Sequence, residues 1–281
     1  MTETLVRAQT PWALRLVPPF PSVAQRILAL ADKNDTNVQQ VGDLVKKDPS
    51  FSAELLRIAN SSLFGPRHGV AGLSQAIVLL GMDRVKTMAT LVVLDRMVRS
   101  SVKIEALRKV WLHSLATALI AQEAAGRMGV NRDTAYTAGL LHNLGTLGLM
   151  SAYPNEYSNM LEVSSDFGFD LLKIEKDLFD IDHCLAGMYL AQDWDFPDEL
   201  AAAIGAHHDE PVAGSKGLDG LIQLSWRLAD TLGFAAFSPV REWNYQELMD
   251  YMPKGSGNSW LAKSAEEAHH ALAAQLADAA K

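Results

Sequence analysis

The stretch TAYTAGLLHNLGTLGLMSAYPN, residues 134–155, decides how the chain is read: it is the longest run without Asp, Glu, Lys or Arg, and it carries a histidine near its middle. Ala135, Ala138, Gly139, His142, Gly145 and Leu149 recur at three- and four-residue spacing, so they share one helical stripe. Most of that stripe is small, which lets a neighbouring helix approach closely with His142 in the contact. Gly139, Asn143, Gly145, Gly148 and Pro154 interrupt the run. It therefore reads as a buried helix of a water-soluble fold, from about Asp133 to Ala152, and not as a membrane span.

Outward from that stretch helical periodicity dominates, and no convincing run of alternating polar and β-branched residues appears. The fold class is all-α. Upstream, Ser22 caps a helix carrying Val23, Ile27, Leu28 and Leu30. Further helices cover Val38 to Lys46, the region of Leu55, Leu56, Ile58 and Ala59, Leu73 to Leu80, and a longer one after Asp83. Ile104, Leu107, Val110, Trp111, Leu115, Ala118, Leu119 and Ala125 trace a long amphipathic helix closed by Gly129. Downstream, helices are expected over Leu161–Phe167, Asp182–Trp194, Pro197–His208 and Leu218–Leu232. An alanine-rich last helix with Leu261, Ala265, Leu272 and Leu276 follows a weak linker, Lys254 to Asn258. The expected division is an N-terminal helical part over residues 1–101, a helical core over 102–235 and a C-terminal helical extension over 236–281.

Composition narrows the function classes. The 281 residues carry 25 Lys plus Arg against 33 Asp plus Glu, a net charge of −8, which disfavours a surface built to neutralise phosphates, so nucleic acid is not an expected partner. One cysteine, Cys184, excludes an intrachain disulfide framework and any multi-cysteine zinc cluster, and fits a reducing compartment. No signal-peptide pattern or membrane segment is seen, so the expected location is the cytoplasm. No sensor, receiver or cyclase segment fits within the chain.

The eight histidines are what composition leaves unexplained. Five of them, His113, His142, His183, His207 and His208, fall on or at the ends of predicted helices in the second half, and Asp230 closes the series. A single inward histidine is more often a hydrogen-bonded core residue than a ligand. Five with an aspartate suggest a site assembled from helices converging on one point, since imidazole is the commonest protein metal ligand. His68 reads as a solvated loop residue, His269 and His270 as surface or packing residues, and Cys184 as a small core residue. The basic cluster Arg96, Arg99, Lys103, Arg108 and Lys109 reads as a solvated helix face.

This order, His113, His142, His183, the pair His207-His208, then Asp230, resembles the ligand order of the HD-superfamily phosphohydrolases, including the HD-GYP cyclic-dinucleotide phosphodiesterases. Pro19-Phe20-Pro21-Ser22-Val23-Ala24, Lys47-Asp48-Pro49-Ser50, Leu55-Leu56-Arg57-Ile58-Ala59-Asn60-Ser61 and Ala76-Ile77-Val78-Leu79-Leu80-Gly81 are similar to motifs of the HDOD domain, the HD-related output domain of bacterial signalling proteins. Trp111-Leu112-His113-Ser114 and Ala138-Gly139-Leu140-Leu141-His142 are similar as well. The resemblance covers about Leu16 to Leu232. It implies an HD-like multi-helix bundle with an additional N-terminal helical subdomain.

The departures from the HD pattern shift the expected function. Asn143 stands where active HD enzymes carry an aspartate that bridges two metal ions, and a neutral amide offers one weak oxygen donor. Thr146 stands at the position of the HD-GYP lysine, Asp209-Glu210-Pro211 replaces the Gly-Tyr-Pro signature, and Lys109 replaces a glutamate one turn before the first histidine. What remains is a degenerate site: His113, His142 and Asp230 as ligands for one divalent ion such as Fe, Mn or Zn, with His183, His207 and His208 as a second, all-neutral cluster. A two-metal clamp is disfavoured. The expected function is a non-catalytic signal-transduction output or interaction module that recognises a protein partner or a small phosphate-bearing ligand. The alternative is a metal-dependent phosphohydrolase acting on a nucleotide or cyclic dinucleotide with a reduced metal site.

Overall fold

The computed structural model describes residues 10–17, 38–46, 52, 55–56, 58–60, 70, 72–82, 84–85, 88, 104–167, 169–194, 196–237, 241–253 and 259–279. Every regular element among them is helical, and no described helix is long and apolar enough to cross a membrane. The expected helix after Ser22, the N-terminal motif residues 19–24 and 47–50, His68, Arg96, Arg99 and Lys103 lie outside the described residues. Arg108 and Lys109 are exposed, as a solvated face requires.

The chain divides into two compact units, residues 1–18 with 98–273, and residues 19–97 with 274–281. The chain crosses between the units at 18/19, 97/98 and 273/274. In the smaller unit α1 (Val38–Val45) packs on α2 (Leu73–Leu80). Gly42 faces Ser74 and Ile77 across this contact, and Leu55, Ala59, Ile77 and Val85 are buried. Asn60 brackets the Val70 backbone, its amide donating to Val70 O at 2.7 Å and its oxygen accepting from Val70 N at 2.7 Å.

The larger unit is built around α3 (Ile104–Met128), which ends before Gly129 at φ +71°. Asn131 caps α4 (Arg132–Leu141) by accepting from the Asp133 and Thr134 amides. Gly139 brings α4 against α3: a Cβ there would lie 2.6 Å from Ala118 Cα. The helix expected over Asp133–Ala152 is in fact two. A turn at His142-Asn143 separates α4 from α5 (Leu144–Ala152), Asn143 sitting at φ −89°, ψ 20°. Apolar spacing runs unbroken through that turn, so periodicity alone could not see it.

Gly145 brings α5 against α8 (His183–Asp193), because a Cβ there would overlap the His183 carbonyl and stand 2.5 Å from Gly187 N. The small-residue stripe therefore does what its composition suggests. α6 (Pro154–Phe167) starts seven residues before the expected Leu161, with proline in the first turn, where a missing N–H costs nothing. α7 (Leu171–Phe179) has no counterpart among the expected helices. Asp170 caps it by accepting from Leu172 N, and Asp180 ends it in the left-handed region at φ 58°. Trp12, in a short 3-10 turn (Trp12–Leu14), packs edge-on to Tyr153 and donates from Nε1 to Asp180 at 2.7 Å, which ties residues 10–17 to this unit.

Asp182 caps α8, accepting from Leu185 N. α9 (Asp198–Gly205) and α10 (Leu218–Ala229) follow, then a π-turn over Asp230–Phe234 in which Gly233 takes φ +85°. α11 (Tyr245–Tyr251) and α12 (Ala265–Ala279) complete the order.

Candidate functional site

The five histidines come from four places in the larger unit. His113 projects from α3, His142 is the C-cap residue of α4, His183 opens α8, and His207-His208 follow the last turn of α9. Their rings form one continuous chain. Centroid separations are 5.2 Å for His113–His142, 5.1 Å for His142–His207, 5.3 Å for His207–His183, 5.0 Å for His183–His208 and 4.6 Å for His207–His208. Asp230, at the start of the π-turn, joins at one end, its Oδ1 standing 3.3 Å from His113 Nδ1.

The tautomers follow from the partners. A carbonyl oxygen only accepts, so His113 Nδ1 donates to Phe234 O at 3.0 Å, His142 Nδ1 to Gly139 O at 2.6 Å and His207 Nδ1 to Ile204 O at 2.6 Å. His142 and His207 each reach back three residues to a carbonyl at their helix's C-terminal end, where such groups otherwise go unpaired. In His207 and His183 the opposite atom, Nε2, is buried and has no hydrogen-bond partner.

His183 is held by a residue that the sequence reading missed. Glu175, on α7, is fully buried. Its Oε2 accepts from His183 N and from His183 Nδ1, both at 2.8 Å, and its Oε1 accepts a short hydrogen bond from the Tyr157 hydroxyl on α6. Glu175 shares a stripe with Leu171 and Phe179, all three buried at four-residue spacing. That spacing was the available signal, but a glutamate in a nine-residue helix resembles a solvated face.

Burial sets the protonation states. It presses His113 down to about 4 and holds His142, His207 and His208 well below the usual imidazole range, with neighbouring histidines adding to the effect on the last three. Burial also acts downward on His183, but the Glu175 carboxylate outweighs it and its pKa stands well above the ordinary value. Tyr157 is pushed up by burial and by the Glu175 charge. Burial raises Asp230 to about 7 although Arg227 pulls the other way.

Asp230 predicts a pH dependence. Its carboxyl titrates near 3.8 when unfolded and near 7 when folded, so folding favours the protonated form. The stabilising contribution is complete below about pH 4 and is lost as pH rises to about 7, at no more than about tenfold in the folding constant per pH unit. Thermal melts of metal-free protein should show this decline over that range, and Asp230→Asn should flatten it. An unchanged slope in the variant would remove Asp230 as its source.

Asn143 and Thr146 are buried at the turn and in the first helical turn beyond it. The Asn143 amide donates to Ser114 Oγ at 3.4 Å. One side of the histidine chain opens on a cleft of about 270 Å³ that His113, His142, Asn143, His208 and Asp230 help to line. Its rim alternates aromatic and cationic groups: the Arg227 guanidinium lies 4.6 Å from the Trp226 ring and 5.5 Å from Trp243, and Arg241 stacks on Trp243 at 3.7 Å. Arg227 is itself a brace. It donates to Gln223 O at 2.8 Å and to the His208 and Asp209 carbonyls at 3.0 Å each, which fixes the main chain beneath the histidine pair.

The donor atoms that lie within 4.8 Å of one another belong to His183, Cys184, His207 and His208, so Cys184 joins the cluster expected of the three histidines. The other expected set meets differently, with Asp230 facing the Nδ1 of His113 that also serves Phe234 O. His269, expected as a surface or packing residue, stacks on Phe234 at 5.4 Å and donates to Leu232 O at 2.7 Å, which supports the π-turn from behind.

Comparison with known proteins adds a frame for this geometry. Residues 17–210 match the HDOD domain family. A solved structure of a candidate phosphohydrolase from Shewanella amazonensis SB2B is 25% identical, covers 96% of each chain and superposes with a TM-score of 0.66. An HDOD domain protein of unknown function from Geobacter sulfurreducens, 21% identical over 99% of this chain and 97% of its own, shares the fold at a TM-score of 0.70. A candidate signal-transduction protein from Marinobacter aquaeolei VT8 is 25% identical over 99% of this chain and 63% of its own, with a TM-score of 0.68. An uncharacterized protein of Treponema pallidum (strain Nichols) is 26% identical over 200 residues, and the match spans 70% of this chain but 38% of that relative.

Proposed function

Because the chain belongs to the HDOD family, whose domain occupies residues 17–210, we propose that it is a regulatory output module in which the HD-type histidine pocket recognises a protein partner or a phosphate-bearing ligand without hydrolysing it. Asn143 carries this reading. Hydrolysis by a two-metal clamp needs a shared anionic oxygen to balance two divalent charges, and at that position the chain offers an amide whose nitrogen is turned to Ser114. Among the described residues the carboxylate that stands against the histidine chain on the cleft side is Asp230, 3.3 Å from His113 Nδ1, and its raised pKa leaves it largely protonated below neutral pH.

The rim suits recognition. Arg241 is half exposed, stacked on Trp243 and paired with Glu210 at 3.5 Å and Glu247 at 3.2 Å, so an anion reaching it exchanges with exposed carboxylates for a planar donor set. The relative from Marinobacter aquaeolei supports a signalling role, and the Shewanella amazonensis structure supports the alternative, a phosphohydrolase with a reduced metal site.

An assay of the full chain with cyclic dinucleotides and nucleoside phosphates, in the presence of Mn²⁺, Fe²⁺ or Mg²⁺, should show no turnover above a protein-free blank. Metal-dependent turnover that disappears in His142→Ala would overturn the reading in favour of the hydrolase. Asn143→Asp should raise metal occupancy towards two ions per chain, measured by elemental analysis. Unchanged occupancy would mean that the pocket excludes a second ion by more than the missing charge.

A further inference from the structure

We propose that the cleft beside the histidine chain binds a small one-ring organic oxyanion without any metal, the ring lying on the apolar wall of Leu171, Leu172, Ala236 and Phe237 and the anion meeting Arg227 and Arg241. The inference rests on the reading of this pocket as a recognition site and names the chemistry recognised. Trp226, Arg227, Phe237, Arg241 and Trp243 all follow residue 210, where the match to the HDOD family ends. The family match therefore does not account for the groups that define the site.

Arg227 supplies the charge. It is 4% exposed, and its hydrogen-bond partners among the described residues are the carbonyls of His207, Gln223, His208 and Asp209, at 2.8 to 3.4 Å. Its Nε is buried and has no partner. A buried cation is normally balanced by a carboxylate, because attraction at low dielectric offsets the water it has lost. Here four carbonyls supply dipoles and no counter-charge, and an anion in the cleft provides it. Arg241 carries the positive charge on to the rim. It is 53% exposed and paired with Glu210, itself 72% exposed, and with Glu247. Exposed pairs of this kind are weak, so an arriving anion displaces them at little cost.

Shape and size set the rest of the ligand. The two tryptophans are already engaged, Trp226 by His208 at 4.4 Å and Arg227 at 4.6 Å, and Trp243 by Arg241 at 3.7 Å. They hold the guanidinium planes in place, which leaves the apolar wall around Phe237 for the ligand's ring. A volume of about 270 Å³ equals that of about nine liquid waters, just under the range of about 300–1,000 Å³ common for ligand pockets. One ring and its anionic group fit there, whereas the two bases of a cyclic dinucleotide do not. A phosphate monoester and a carboxylate share the chemistry that Arg227 and Arg241 recognise.

The test is a calorimetric titration of the full chain in EDTA with phenyl phosphate, benzoate, inorganic phosphate and cyclic diguanylate. At least one of the two ring-bearing anions should bind at one per chain, and the tighter of them names the head group. Inorganic phosphate should bind at least about tenfold more weakly, for want of a ring to bury, and cyclic diguanylate should not compete with the ring-bearing probe. Phe237→Ala should narrow the gap between that probe and inorganic phosphate. Glu210→Gln should tighten the probe about two- to fivefold by releasing Arg241 from a competing carboxylate. The proposal is overturned if neither probe binds, if inorganic phosphate binds as tightly, if cyclic diguanylate displaces the probe, if the gap is unchanged in Phe237→Ala, or if Glu210→Gln binds no better than wild type. Should Phe237→Ala not fold, the exposed Glu210 variant decides. With no metal present, failure here leaves the hydrolysis assay untouched, and turnover in that assay overturns the recognition reading on its own.

Discussion

Glu175→Ala should lower the unfolding free energy by about 3–5 kcal/mol, read as a shift of the urea midpoint, because it strips a buried cluster of the group that all its donors share. Glu175 accepts from the Tyr157 hydroxyl, from His183 N and from His183 Nδ1. Truncation leaves three buried donors without an acceptor and an imidazole without its counter-charge, at a place where water does not reach. The adjacent Lys176 calibrates the effect. Its ammonium lies 2.9 Å from Asp182 Oδ2, but its side chain is 61% exposed against 10% for Asp182. Water screens the lysine's charge, so Lys176→Ala should cost about 1 kcal/mol or less. A Glu175→Ala midpoint within about 1 kcal/mol of wild type would show that Glu175 is not the tie between α6, α7 and α8.

The second large effect comes from one methyl group. Gly145→Ala would drive a Cβ into the His183 carbonyl and to 2.5 Å from Gly187 N. Both are main-chain atoms, which cannot swing aside as a flexible side chain can. Overpacking of cores costs about 1–3 kcal/mol and occasionally more, and this site belongs at the top of that range or above it. Because the atoms displaced belong to His183 itself, the variant should also disturb the Glu175 contacts to His183 N and Nδ1. Gly126 on α3 is the comparison: it has open space around it, so Gly126→Ala should gain about 0.5–1 kcal/mol from helix propensity. Equal melting temperatures for the two variants would contradict the close contact of α5 and α8.

Much of this was legible in the amino-acid order, for identifiable reasons. The all-α class followed from spacing, and the histidine series followed from residue types that are costly to bury and so are placed with purpose. Asn143 could be read directly, since a missing carboxylate is a property of the sequence. Other features depended on tertiary partners. The break at His142-Asn143 is invisible to periodicity because apolar residues continue on both sides of it. α7 was missed because Glu175 interrupts an otherwise apolar stripe, and its burial makes sense only once Tyr157 and His183 are brought to it. Nothing in the order of residues marks Arg227, which brackets four main-chain carbonyls that meet only in the fold. Cys184 is the small core residue that its sequence surroundings suggest, and the fold sets it beside His183, His207 and His208.

Gly233 works as a stop. The backbone leaves helical geometry there, at φ +85°, ψ 18°, in a region that residues with a Cβ rarely enter. That reversal delivers the Phe234 carbonyl to His113 Nδ1 while Asp230, four residues earlier, faces the same nitrogen. A side chain at 233 would be strained whatever space surrounds it, and relief of that strain would turn the Phe234 carbonyl away. No side chain of the pocket would change, yet His113 would exchange its backbone acceptor for the carboxyl alone, so the pocket's chemistry hangs on one backbone torsion as well as on residue identity.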